Sequence, residues 1–148
     1  MIKTFRGQLA EGEQRQIHLS GGDIDKGYRI VKLQLMCVQP GASNQESVVK
    51  IYKNKQSSVP TTSPTTIDFD EDNLLGAAVY SASANQKTDP EDLSVIFDAE
   101  IVNQDIYITH TDNENNIAIN YYFELEEIKM KDPEIAVVNY SAALLHNE

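Results

Sequence analysis

Few residues of this chain have the type and spacing to do chemistry. Three histidines, His18, His110 and His146, stand far apart, and none has the H-x-x-x-H or H-x-H spacing that brings two imidazoles to one metal ion. His110 precedes Thr111-Asp112 at the end of an alternating segment, where a carboxylate could orient an imidazole for proton transfer. The simpler assignment is a surface turn residue. His18 alternates with Ile17 and Leu19 and is expected to face solvent. The one cysteine, Cys37, sits in an apolar segment with nothing beside it to activate a thiolate, so it is expected to act as a small buried hydrophobe. Alone, it forms no internal disulfide. There is no G-x-S-x-G, P-loop or dinucleotide fingerprint, and Gly21-Gly22 leads into Asp23-Ile24-Asp25 rather than into a helix that could cradle phosphate.

The carboxylates are more suggestive. Asp68, Asp70 and Asp72 have the alternate spacing of the first ligands of a calcium loop. Such a loop needs glycine at its sixth position and a bidentate glutamate at its twelfth; this chain has Asn73 and Val79 there. An EF-hand is therefore excluded. An exposed acidic turn is the expectation, with a looser calcium site between loops as the alternative, and a chelator is expected to leave the melting temperature unchanged. Asp89-Pro90-Glu91-Asp92 has the character of a turn or a short helical start. No catalytic residue, metal ligand or cofactor is assigned, and the chain is not expected to be an enzyme.

The elements that would position these residues are mainly strands. Ile117 to Glu126 alternates with period two: Ile117, Ile119, Tyr121, Phe123 and Leu125 point one way, and Asn120, Tyr122, Glu124 and Glu126 the other. Tyr122 thus falls on the polar side, where an exposed tyrosine marks a candidate interface. Further strands are expected over Lys3–Leu9 and Gln14–Leu19, joined as a hairpin by Ala10-Glu11-Gly12-Glu13. Others are expected over Tyr28–Val38 (Val31, Leu33, Leu35 and Cys37 on one face), Ser47–Lys53, Thr66–Phe69, Leu74–Tyr80, Val95–Ile101 and Asp105–His110. Nine short strands separated by polar turns predict an antiparallel β-sandwich of the jelly-roll kind. Asn54 to Thr66, rich in Ser, Thr and Pro, is expected to be a long connection lying on the surface.

At the C-terminus the period changes. Asp132 can cap a helix, Pro133 suits its first turn, and Ile135, Val138, Ala142 and Leu145 recur at helical spacing. The chain is therefore divided into a sandwich over 1–131 and a helix over 132–148. That helix is either part of the same domain or an arm whose stripe of Ile135, Val138, Ala142 and Leu145 docks on a neighbour.

The 148 residues carry 41% hydrophobic and 24% charged side chains, the composition of one globular domain. Net charge −11 argues against binding a phosphate backbone or an anionic membrane surface, and no apolar run is long enough for a membrane span. Residues 1–66 hold nine Lys/Arg against five Asp/Glu, and residues 67–148 hold three against eighteen. If the fold separates these halves, Lys50, Lys53 and Lys55 of one copy are candidates to meet the acidic loops of another, giving a trimer or dimer.

The runs FRGQLAEGEQRQIHLS (Phe5–Ser20), GYRIVKLQLM (Gly27–Met36), SVVKIYK (Ser47–Lys53), TIDFDEDNLLGAAVY (Thr66–Tyr80), IFDAEIVNQDIYITHTD (Ile96–Asp112) and NYYFELEEIKM (Asn120–Met130) resemble small virion structural proteins of marine tailed bacteriophages. These motifs are structural and name no active site. The resemblance implies a capsid decoration (cement) protein on the exterior of the virion, with the major capsid protein as partner. A carbohydrate- or ligand-binding β-sandwich of a phage tail or fibre is the alternative, which the absence of tryptophan disfavours. A glycosidase using two of the carboxylates comes third.

Overall fold

A computed structural model describes residues 1–19, 25–41, 44–59, 65–82 and 92–130. Eight strands follow in chain order: β1 (Ile2–Leu9), β2 (Gln14–Ile17), β3 (Lys26–Cys37), β4 (Gln45–Tyr52), β5 (Leu74–Ala82), β6 (Asp92–Phe97), β7 (Ile106–Asp112) and β8 (Ile119–Lys129). They form two antiparallel sheets, one of three strands in the order β1-β8-β3 and one of five in the order β2-β7-β4-β5-β6. The sheets pack face to face as a β-sandwich, with no helical element among the described residues. The helix expected over 132–148 lies outside the described residues.

The core is the inner faces of both sheets. Ile119, Tyr121, Phe123 and Leu125 of β8 are buried together, as their alternation predicts. They face Val49 and Ile51 of β4 and Ile106 and Ile108 of β7. Phe123 is fully buried and stacks on Phe5 at 5.1 Å between ring centroids. Burying such rings removes some 150–250 Å² each from water, the largest single contributions a core of this size receives.

Three local expectations are corrected. Lys3–Leu9 and Gln14–Leu19 do not form a hairpin: β1 pairs with β8, and β2 with β7 in the other sheet. Gly12, at φ 77°, lets the chain turn from one sheet to the other, and its N–H donates to His110 O at 2.9 Å. In β3 the register slips between Ile30 and Lys32, so Val31 is a bulge residue and Ile30, not Val31, joins Leu33 and Leu35 in the core. Thr66–Phe69 is not a strand; the acidic run forms tight turns leading into β5.

Past β6 the chain changes sheet. Asp98 N–H still donates to Leu75 O of β5 at 2.8 Å, but Val102 exchanges two backbone hydrogen bonds with Tyr28 of β3, at 2.7 and 2.8 Å. Residues 98–101 therefore cross from the five-stranded to the three-stranded layer and close one end of the sandwich.

The connection after β4 is pinned where it is described. Gln14 holds Gln56 through both halves of its amide: Nε2 donates to Gln56 O (3.1 Å) and Oε1 accepts from Gln56 N (2.8 Å). Lys50 Nζ donates to Thr66 O at 2.6 Å, and Val59 is buried.

Candidate interaction surface

The outer face of the three-stranded sheet collects the polar half of each strand. Register sets it out in rows across β1, β8 and β3: Ile2–Glu126–Arg29, Thr4–Glu124–Lys32, Arg6–Tyr122–Gln34 and Gln8–Asn120–Met36. The carboxylates lie on the central strand, and the cations lie on the strands either side. Arg29 grips Glu126 through Nε (3.0 Å) and Nη2 (2.8 Å), and Lys32 Nζ stands 5.8 Å from the centre of the Tyr122 ring. The Tyr122 hydroxyl donates to Glu124 Oε2 at 2.7 Å, which holds the phenol above its ordinary pKa and keeps it a donor. Tyr122 thus sits in the middle of an ordered, mixed-charge platform. Arg6 and Met36 at the margins are exposed. On the opposite side of the sheet, in the phase of Leu125 and Tyr28, Glu127 bridges Lys3 and Lys26, both at 3.3 Å, and hydrogen bonds from Lys26 and then Lys3 hold its carboxyl below the usual range.

The other expected interface residues are placed differently. Lys50 is 3% exposed; burial lowers its pKa, and its ammonium, on the face of β4 away from Val49 and Ile51, is covered by Thr66, to whose carbonyl it donates. Lys53 bridges Glu100 at 2.9 Å, while Lys55 is exposed. Ile135, Val138, Ala142 and Leu145 lie outside the described residues. The charge halves interleave on the three-stranded sheet, because acidic β8 runs between basic β1 and β3.

His110 is not a surface turn residue. It is fully buried on the core side of β7, in phase with Ile106 and Ile108. Its Nδ1 lies 3.2 Å from Ala10 O and must carry the proton, since a carbonyl only accepts. Nε2 then accepts from Ser47 Oγ at 2.8 Å, and that oxygen accepts from Gln45 Nε2 at 2.8 Å, whose second proton goes to Ala118 O at 3.1 Å. A serine–histidine hydrogen bond of this kind resembles an activated nucleophile, but Ser47 and His110 are both 0% exposed, so no substrate reaches them. The chain Ala10–His110–Ser47–Gln45–Ala118 is a buried clasp between the turn after β1, the centre of the five-stranded sheet and the start of β8. Nearby, Asp112 accepts backbone N–H groups of Glu46 (3.0 Å), Glu114 (3.1 Å) and Ile117 (2.7 Å), folding the β7–β8 turn in which Asn116 takes φ 56°.

His18 faces solvent 3.2 Å from Asp105, and Cys37 is half-buried against the core. Asp68 spends its carboxylate on its own turn, accepting Asp70 N–H at 2.9 Å. Among the described residues no group of three or more His, Cys, Asp or Glu side chains converges. No protein-family model matches this chain, and no characterised protein matches it in sequence.

Proposed function

We propose that this protein is a capsid decoration protein. It binds the outer shell of a tailed-phage virion and ties neighbouring major capsid proteins together. On this reading it acts without catalysis, cofactor, nucleic acid or membrane, and it self-associates as a trimer or dimer. The observation that carries it is the outer face of the three-stranded sheet, which no other described element covers, a hydrogen-bonded platform of alternating charge centred on Tyr122. Such a surface suits many weak contacts repeated by symmetry, which lock a shell through avidity. The strand orders β1-β8-β3 and β2-β7-β4-β5 support a jelly roll whose sixth strand would lie beside the third. Here β6 keeps to β5, and the chain joins β3 only at Val102. The helix expected over 132–148 belongs to the same proposal, as an arm that reaches a neighbouring chain.

Purified protein added to shells that lack it tests the proposal. Binding should saturate at a fixed ratio to the major capsid protein, and Tyr122→Ala with Lys32→Glu should weaken it. Absence of shell binding, or binding indifferent to both changes, overturns it. Binding to host-surface glycans instead of shells would make the protein a tail or fibre module.

A further inference from the structure

A second surface lies beside β6, at the edge of the five-stranded sheet. Beside β6, Phe69, Leu74, Leu75, Ile96 and Phe97 line an open groove of about 240 Å³. Phe69 and Ile96 are 65% and 57% exposed, which is unusual for side chains of that size placed together. Carboxylates surround them: Asp98 lines the groove, and Asp68, Asp70, Glu71 and Asp72 occupy the turns on either side of Phe69. Residues 65–82 and 92–100 contain no lysine or arginine at all. An occupant must therefore offer an apolar anchor flanked by positive charge. Among the described strands β6 is also the last of its sheet, with β5 as its one neighbour, so its outer edge offers unpaired backbone groups to another strand.

This chain presents such a segment itself. Among the described strands β1 is the edge of the other sheet, paired with β8. At its start Met1 and Ile2 are 80% and 50% exposed, and Arg6 is exposed on the same face of the strand as Ile2. We propose that the groove beside β6 receives the β1 edge of a second copy, with Ile2 seated against Phe69 and Ile96, and Arg6, on the same face of β1 as Ile2, facing the carboxylates. The two patches differ, so the contact is head-to-tail; it closes into a ring where the rotation between copies permits, or runs on as a filament where it does not. Charge and apolar exposure carry this inference, and it does not rest on shell binding.

Sedimentation of the full chain at tens of micromolar, at low and high salt, tests it. The wild type should associate, less so at high salt. A groove variant, Ile96→Lys, and an edge variant, Ile2→Asp with Arg6→Glu, should each weaken association by about tenfold or more while melting like the wild type. A milder Ile96→Ser should give the same direction if the lysine disturbs folding. The decisive sample is an equal mixture of groove and edge variants. One intact edge and one intact groove remain between them, so dimers should form and nothing larger. A monomeric wild type, variants that associate like the wild type, or a mixture that stays monomeric overturns the proposal. Failure here, with shells still bound, would leave the decoration reading standing.

Discussion

Replacing Ser47 with alanine probes the buried clasp at its centre. The hydroxyl donates to His110 Nε2 and accepts from Gln45 Nε2, both at 2.8 Å, in a site from which water is excluded. Its removal leaves one imidazole nitrogen without a donor and one amide proton without an acceptor, while Gln45 keeps its bond to Ala118 O. Each orphaned buried group costs about 1–3 kcal/mol, and because Gln45 keeps its other bond and can shift toward it, the loss should fall in the lower part of the sum, roughly 2–4 kcal/mol. For a domain of this length that corresponds to a fall in melting temperature of about 6–13 °C. Urea unfolding with a double-mutant cycle against His110→Leu checks it: Ser47→Ala should cost much less once the imidazole is gone. A loss below about 0.5 kcal/mol, or fully additive effects, would refute the hydrogen-bond assignment.

The same histidine makes stability depend on pH. Burial lowers the His110 pKa, outweighing the opposing pull of the Ala10 carbonyl first and then of Asp112, the Leu9 carbonyl and Glu11. The unfolded chain therefore takes up a proton at the ordinary imidazole value of about 6.5 that the folded chain refuses, so this contribution is present above that pH and lost as pH falls. His110→Gln should flatten the difference in unfolding free energy between mildly acid and neutral pH; an unchanged slope contradicts it. Gly27→Val should destabilise by about 1–3 kcal/mol, because even a Cβ there would lie 2.4 Å from Ile101 Cγ2 and 3.0 Å from Met130 Sδ. A melting temperature within a degree of wild type would show that this end of the sandwich gives way. Asp112→Ala removes the acceptor of three backbone N–H groups and should cost roughly 2–4 kcal/mol, measured by urea unfolding.

Much of the sandwich was legible because burial on one face writes itself into a strand with period two. β8 shows this best: Ile119, Tyr121, Phe123 and Leu125 are the residues that the alternation selects, and Tyr122 between them faces out. The same rule applied to Ile106 and Ile108 places His110 inside; its polarity and the neighbouring Asp112 outweighed a phase that was already in the sequence. Other features had no local signal. A one-residue bulge at Val31 inverts the phase of β3, and nothing in Ile30-Val31-Lys32 announces it. The turn at Gly12 has hairpin chemistry, yet it joins strands of different sheets, a choice made by partners about a hundred residues away. Lys50 looked like a surface cation because alternation set it opposite Val49 and Ile51. The outer face of β4 is covered, however, and Thr66 from the returning connection lies over its ammonium. Ser47 and Gln45 were missed because a serine and a glutamine show their worth only through the histidine they meet across the sheet.

The central claim, decoration of a capsid, is tested most directly by counting. Quantitative mass spectrometry of purified particles should find this protein at a copy number close to that of the major capsid protein. A few copies per particle, or none, would contradict it.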